Sequence, residues 1–253
     1  MTLDRKLRRY IRKDMHRIPG WMHPLDASAW AALLLYQRAQ DLAGNIAEIG
    51  VYYGRSFFLL GQSLADGERA FAADLFESGP LVQGAVRHQM REFLQAGARC
   101  HVPCETLPGP SDQLTPDRFA FPVRFFSIDG GHGHDEVTND VGLATASLAE
   151  YGVIAFDDVF NPEYPDTTVA IVDWLRACKG QFVPFAVTDG KLYVCRREWR
   201  SRYQNALADS PWTESYTHKP VTLLGQSLVW LHHPIYARIR HHAAVRVRRL
   251  LGL

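Results

Sequence analysis

Ile46-Ala47-Glu48-Ile49-Gly50-Val51-Tyr52-Tyr53-Gly54-Arg55-Ser56 reads as a short apolar strand, a tight turn and a helix start, because Ser56-Phe57-Phe58-Leu59-Leu60 continues at helical spacing. Glycine suits the turn: without a Cβ, the backbone takes positive φ and a ligand can lie against it. Two glycines in such a turn are a weak signal alone, since many α/β proteins pass from strand to helix this way. The signal gains weight about twenty residues on, at the spacing where an open α/β sheet holds the hydroxyls of a ribose with a carboxylate. There Ala70-Phe71-Ala72-Ala73-Asp74 reads as a second strand ending in an acid. Turn and acid together predict a nucleoside-containing ligand.

Outward from this stretch, helices and strands alternate. Residues 3–17 place Leu3, Leu7, Tyr10, Ile11 and Met15 near helical period among basic residues, and Ile18-Pro19-Gly20-Trp21-Met22 breaks that helix. Asp26 to Ala43 reads as a long helix leading into the first strand, and Ser56 to Ala65 as the helix after it. Residues 80–96 form a further helical stretch, with Leu81, Val82, Val86, Met90, Phe93 and Leu94 every three or four positions. Arg99-Cys100-His101-Val102 reads as a third strand. Val123 to Asp129 is a strand ending in an acid, Asn139 to Ala149 a helix, and Gly152 to Asp158 an apolar strand ending in two acids. After a helix over Thr167 to Ala177, Phe182–Val187 and Lys191–Cys195 flank Thr188-Asp189-Gly190, a hairpin signal. The pattern predicts an α/β fold with a doubly wound, mostly parallel sheet closed by an antiparallel hairpin. In such sheets ligands gather beyond the carboxyl ends of the strands, where Glu48, Asp74, Asp129, Asp157 and Asp158 all fall.

Composition narrows the class. The 253 residues suit one large domain or one domain with additions, and 47% apolar with 22% charged content is ordinary for a globular protein. A net charge of +1 argues against a nucleic-acid partner for the whole molecule, although seven Lys/Arg lie between Arg5 and Arg17 and five Arg between Arg238 and Arg249. Cys100, Cys104, Cys178 and Cys195 lack zinc-site spacing. No signal peptide and no apolar run long enough to span a bilayer is read, so the expected compartment is the cytoplasm, with reduced thiols.

Glu48-Ile-Gly-Val-Tyr-Tyr-Gly-Arg-Ser56, Asp74, Ser111-Asp112, Ile128-Asp-Gly-Gly-His-Gly-His134 and Ile154-Ala-Phe-Asp-Asp158 together resemble class I S-adenosylmethionine-dependent methyltransferases. Within that class they are most similar to metal-dependent O-methyltransferases, of the catechol type and of the kind that modifies sugars in macrolide and polysaccharide pathways. The resemblance covers about residues 18–197 and implies a seven-stranded Rossmann-like sheet. It implies that Glu48, Gly50 and Gly54 frame the methionine end of S-adenosylmethionine, with Tyr52 and Ser56 beside its carboxylate. Asp74 would hold the ribose, Ser111 and Asp112 would lie near the adenine, and Asp129 would stand at the cofactor. Asp129, Asp157 and Asp158 fall where these enzymes place three oxygen ligands for Mg²⁺; Asp at the last position matches the sugar-modifying group, where catechol-type enzymes often carry Asn.

Chemistry supports a cation there, because three converging carboxylates repel one another and a hard divalent ion relieves the conflict. Such an ion could also lower the pKa of an acceptor hydroxyl. His132, three residues after Asp129, is the candidate general base, with His134 second. The expected reaction is Mg²⁺-assisted O-methylation of a sugar, glycoconjugate or related small metabolite, with S-adenosylhomocysteine as product. Two alternatives stay open: a metal-free methyltransferase of the same fold, and a nucleotide, nucleotide-sugar or dinucleotide binder such as an oxidoreductase. Against the latter, Gly50-x-x-x-Gly54 is not the G-x-G-x-x-G fingerprint.

The expected organisation is a basic N-terminal helix and turn (1–22), a methyltransferase domain (23–197) and a C-terminal extension (198–253) ending in a basic amphipathic helix over Leu228 to Leu253. That helix would pack on its own domain or on a second subunit, or make a peripheral contact with anionic lipid at the inner membrane surface together with the basic N-terminus.

Overall fold

The central strands are apolar on both faces, and their period-2 alternation deals residues to two helical layers: Ile46 and Phe125 face one, Ala47 and Phe126 the other. The computed structural model describes residues 1–76 and 88–234. Strands β1 (Asn45–Ile49), β2 (Ala70–Asp74), β3 (Glu105–Pro108), β4 (Val123–Ile128) and β5 (Leu148–Asp157) run parallel. The expected hairpin, β6 (Phe182–Val187) and β7 (Lys191–Arg196), joins through β7, antiparallel to β5. A second hairpin, β8 (Thr217–Leu223) and β9 (Gln226–His232), adds to the edge of β6. The order is β3-β2-β1-β4-β5-β7-β6-β9-β8. Chain order reverses between β1 and β4, which opens a crevice beyond their carboxyl ends.

Helices α1 (Leu3–Arg9), α2 (Pro24–Ala39), α3 (Phe57–Gly61), α4 (Gln89–Cys100) and α7 (Arg200–Ala208) cover one face, and α5 (His134–Ser147) and α6 (Pro165–Ala177) the other. The basic N-terminal segment docks on the domain: Leu7, Tyr10, Met15 and Ile18 are buried, and the Tyr10 hydroxyl donates to Arg55 O at 2.7 Å. Arg124, fully buried in β4, ties this layer together by donating to Gly44 O, Gln37 Oε1, Ser63 Oγ and Glu68 Oε2 at 2.9–3.1 Å.

Three sequence expectations differ from the structure. Arg99 and Cys100 close helix α4 instead of opening a strand. Phe93, Ala96 and Gly97 hold its buried face on the core, and His101, left-handed at φ 54°, ends it. The third strand begins only at Glu105. The sheet has nine strands because the Leu224-Gly225 turn, both residues at positive φ, pairs Leu223 with Gln226 and folds 217–232 into a hairpin. Residues 228–232 are therefore strand, with Leu228 and Leu231 buried, where an amphipathic helix was expected. The rest of that expectation (235–253), and the part of the expected 80–96 helix before residue 88, lie outside the described residues. Among the described residues no helix is long and apolar enough to cross a membrane.

Candidate active site

The β1 turn is built by close packing of backbone on backbone. Gly50 sits at φ +84°, its N–H donates to Ala73 O at 2.8 Å, and the Asp129 N–H donates back to Ile49 O at 2.8 Å. A Cβ on Gly50 would fall 1.7 Å from Asp129 O. At Gly54, φ +92°, a Cβ would strike the Phe58 ring at 2.4 Å. Both glycines are thus required by the protein's own packing, and only Gly50 faces the crevice. Tyr52, left-handed at φ 50°, donates its N–H to Asp74 Oδ2 at 2.7 Å, while Asp74 Oδ1 accepts from Phe76 N–H (2.8 Å) and Gln89 Nε2 (3.1 Å). The carboxylate at the end of β2 is held rigidly against the turn.

Beyond the strand ends lies a cavity of about 1340 Å³, larger than the several hundred Å³ of a typical single-ligand site. Gly50, Tyr52, Asp74, Ser111, Asp112, Asp129, His132, Asp157 and Asp158 all line it. Glu48, Gly54 and Ser56 lie behind this wall. Glu48 is fully buried; its Oε1 accepts from Ser56 Oγ at 2.6 Å and from Ser127 Oγ at 3.4 Å, and its Oε2 has no partner among the described residues. His134 also lies outside the lining, with Nε2 3.7 Å from Asp173 Oδ2.

Burial raises the Glu48 carboxyl from the ordinary 4.5 to about 7. A carboxyl raised by folding costs nothing below its unfolded value, and the cost grows as pH climbs to the folded value. The gap amounts to about 3 kcal/mol above neutrality. Glu48→Gln keeps an acceptor for Ser56 without the charge. Its melting temperature relative to the parent is expected to rise between about pH 5 and about pH 8, and a pH-independent difference would contradict the assignment.

The three carboxylates expected to hold a metal do reach one cavity, but they divide between two partners. Sheet register sets Asp157 directly across from Lys191, and Lys191 Nζ lies 2.6 Å from Asp157 Oδ2 with its side chain 3% exposed. Burial and the Asp157 charge push the Asp129 carboxyl well above the usual range. Burial also works against Asp157, but the Lys191 ammonium outweighs it and holds Asp157 low. Asp158, left-handed at φ 54°, turns aside: its Oδ1 accepts from Asn161 Nδ2 at 2.7 Å and its Oδ2 lies 3.7 Å from His132 Nε2. Among the described residues no three His, Cys, Asp or Glu side chains group as a metal site. The donor set therefore does not fit Mg²⁺ as expected, for the physical reason that an ammonium already neutralises the buried pair. Sequence reading missed Lys191; the signal was a lysine opening the otherwise apolar run Leu192-Tyr193-Val194-Cys195.

His132 stacks on Tyr164, ring centroids 3.8 Å apart, with its imidazole half exposed to the cavity. At the mouth, Trp21 is 82% exposed and stacks on Tyr52 at 5.6 Å. Ten carboxylate side chains line the cavity against one lysine and no arginine among the described residues. That balance suits a ligand carrying a sulfonium and an ammonium, and it opposes a pyrophosphate. Asp74, Ser111 and Asp112 line the same cavity, and its acidic walls fit the charge of S-adenosylmethionine.

The comparisons with known proteins agree. A family profile described as a methyltransferase domain matches residues 47–159. No curated protein matches. Among solved structures, the O-methyltransferase NovP is similar with a TM-score of 0.55 and 14% identity, over 68% of this chain and 78% of that one. CalS11, a TDP-rhamnose 3'-O-methyltransferase of calicheamicin biosynthesis, is similar with a TM-score of 0.51 and 17% identity, over 76% and 93%. The S-adenosylhomocysteine-bound Podospora anserina methyltransferase PaMTH1 gives 0.51 and 15%, over 76% and 87%. At these identities the solved structures speak for the fold, and the profile covers the turn and the strand-end acids Glu48, Asp74, Asp129, Asp157 and Asp158. Residues 47–159 match the methyltransferase-domain profile, and the chain shares the Rossmann-like fold of these O-methyltransferase structures.

Proposed function

We propose that the protein methylates a hydroxyl of a sugar, glycoconjugate or related small metabolite, with His132 as general base. The observation that carries this reading is the His132–Asp158 pair on the wall of an acidic cavity large enough for a cofactor and an acceptor together. S-adenosylmethionine supplies an electrophilic methyl group on its sulfonium. The acceptor oxygen attacks that carbon, the carbon–sulfur bond breaks with its electron pair going to sulfur, and the hydroxyl proton passes to the His132 imidazole. Asp158 beside Nε2 then stabilises the imidazolium. The carboxylates present do not form a three-oxygen set for Mg²⁺, since Asp157 is paired with Lys191 and Asp158 with Asn161 and His132.

Support for a sugar-like acceptor comes from the rim, where Trp21, Tyr52 and Phe160 offer ring faces beside carboxylates able to accept from hydroxyls. The similarity to CalS11 points the same way. The scarcity of cationic side chains favours a neutral or amino sugar over a nucleotide-diphosphate sugar. Incubation of the protein with S-adenosylmethionine and a panel of glycosides, read by mass spectrometry, is expected to show the gain of one methylene mass on an acceptor. Calorimetry is expected to show binding of S-adenosylhomocysteine and none of NAD; the reverse result would overturn the proposal.

A further inference from the structure

We propose that Lys191 is the resident cation of this site, so that methyl transfer runs without a divalent metal ion. The proposal rests on the reading above and concerns how that same site handles its charge. Four observations carry it. The register between β5 and β7 fixes Asp157 opposite Lys191, so the ammonium is delivered by the sheet itself, 2.6 Å from the carboxylate. The lysine side chain is sealed in at 3% exposure, with Nζ 5.4 Å from the Trp30 ring centroid. Its backbone is clamped to the turn, since Lys191 N–H donates to Thr188 Oγ1 at 3.2 Å and Thr188 N–H donates to Lys191 O at 2.9 Å. The Thr188 hydroxyl in turn donates to the buried carboxylate of Asp26. Finally, Asp158, the carboxylate that would complete a three-oxygen set, is committed to Asn161 and His132 instead.

The ammonium occupies Asp157 Oδ2, an oxygen a divalent ion would need, and Asp157 Oδ1 already accepts from the Asp158 N–H at 3.0 Å. A cation bridging Asp129 and Asp157 would meet both the like charge and a committed oxygen. Lys191 is thus a positioning residue: it holds Asp157 in place at the cavity wall that Asp129 also lines. It also leaves His132 alone to receive the acceptor proton. Lysine is suited to this task as a compact point charge on a stem long enough to be buried.

The test titrates the full chain, loaded with S-adenosylhomocysteine, with Mn²⁺ and follows the free-ion signal by electron paramagnetic resonance. The parent is expected to show no saturable binding up to about 1 mM, the weak end of oxygen-ligand sites, and its turnover is expected to be insensitive to EDTA. Lys191→Ala frees Asp157 Oδ2 in the cavity that Asp129 also lines and is expected to bind Mn²⁺ at least about tenfold more tightly than the parent. Stoichiometric Mn²⁺ binding by the parent below that limit overturns the inference, and this arm needs no variant to fold. A folded Lys191→Ala protein that still ignores Mn²⁺ overturns it as well. Calorimetry with S-adenosylhomocysteine on the same samples separates the two readings: loss of nucleoside binding by the parent defeats the methyltransferase function, while the Mn²⁺ titration alone decides on Lys191.

Discussion

Replacing His132 with glycine is expected to lower kcat by about 10²–10⁴-fold, the range lost when a positioned general base is removed. Affinity for S-adenosylhomocysteine should stay within about twofold, because the loss lies in the transition state and not in cofactor binding. The geometry gives two ways to tell a base from a packing residue. His132 is stacked on Tyr164 at 3.8 Å, so removing the ring leaves a slot open to the cavity. Imidazole added to the solvent can enter that slot, and recovery of turnover with imidazole concentration would mark proton transfer. Asp158→Asn provides the second. Its carboxylate lies 3.7 Å from Nε2, so the variant should lose less than the His132 variant, and the double variant should lose little more than His132→Gly alone. Full additivity, or no rescue together with unchanged kcat, would remove His132 from the chemistry.

What could be read from the chain alone follows a physical divide between local and long-range information. The turn at Gly50, the strand-end acids and the helices between them are written in spacing of three to four or of two, and a neighbouring window suffices to see them. Asp74, Asp129, Asp157 and Asp158 were legible as a converging set because parallel strands all point their carboxyl ends one way. How that set divides its charge was not legible. Asp157 and Lys191 are 34 positions apart and meet only through the antiparallel register of β5 and β7, which periodicity does not encode. Likewise Leu228 to Leu231 is apolar at every position. Such a run reads equally as helix or as buried strand, and the neighbouring β6 decided it. Glu48 was placed at the cofactor because its position follows the motif; its side chain lies one layer behind, engaged by Ser56 and Ser127. A motif fixes where a Cα lies, and side-chain packing decides what it faces.

The same reasoning turns Gly50 into the most sensitive backbone position of the site. An alanine there would have to keep φ near +84°, which costs a non-glycine residue roughly 1–2 kcal/mol. The larger cost is steric. The added carbon would lie 1.7 Å from Asp129 O, 2.3 Å from its carbonyl carbon and 2.8 Å from Gly130 N, all backbone atoms with no rotamer to change. Relief requires the ends of β1 and β4 to separate, and that breaks the bond from Asp129 N–H to Ile49 O. Together these place Gly50→Ala beyond about 4 kcal/mol, in the tail of single substitutions. That corresponds to a melting temperature lower by roughly 8–16 °C in a domain of this size. Gly67 is the matched control: it has the same φ of +84° and nothing within 4 Å of its would-be Cβ, so Gly67→Ala should cost only the backbone term. Because Asp129 is itself the residue displaced, whatever Gly50→Ala protein folds should also bind S-adenosylhomocysteine more weakly than the Gly67→Ala protein. Equal melting temperatures for the two variants would show that β1 and β4 part easily, and the rigid cavity floor on which the charge arrangement depends would have to be given up.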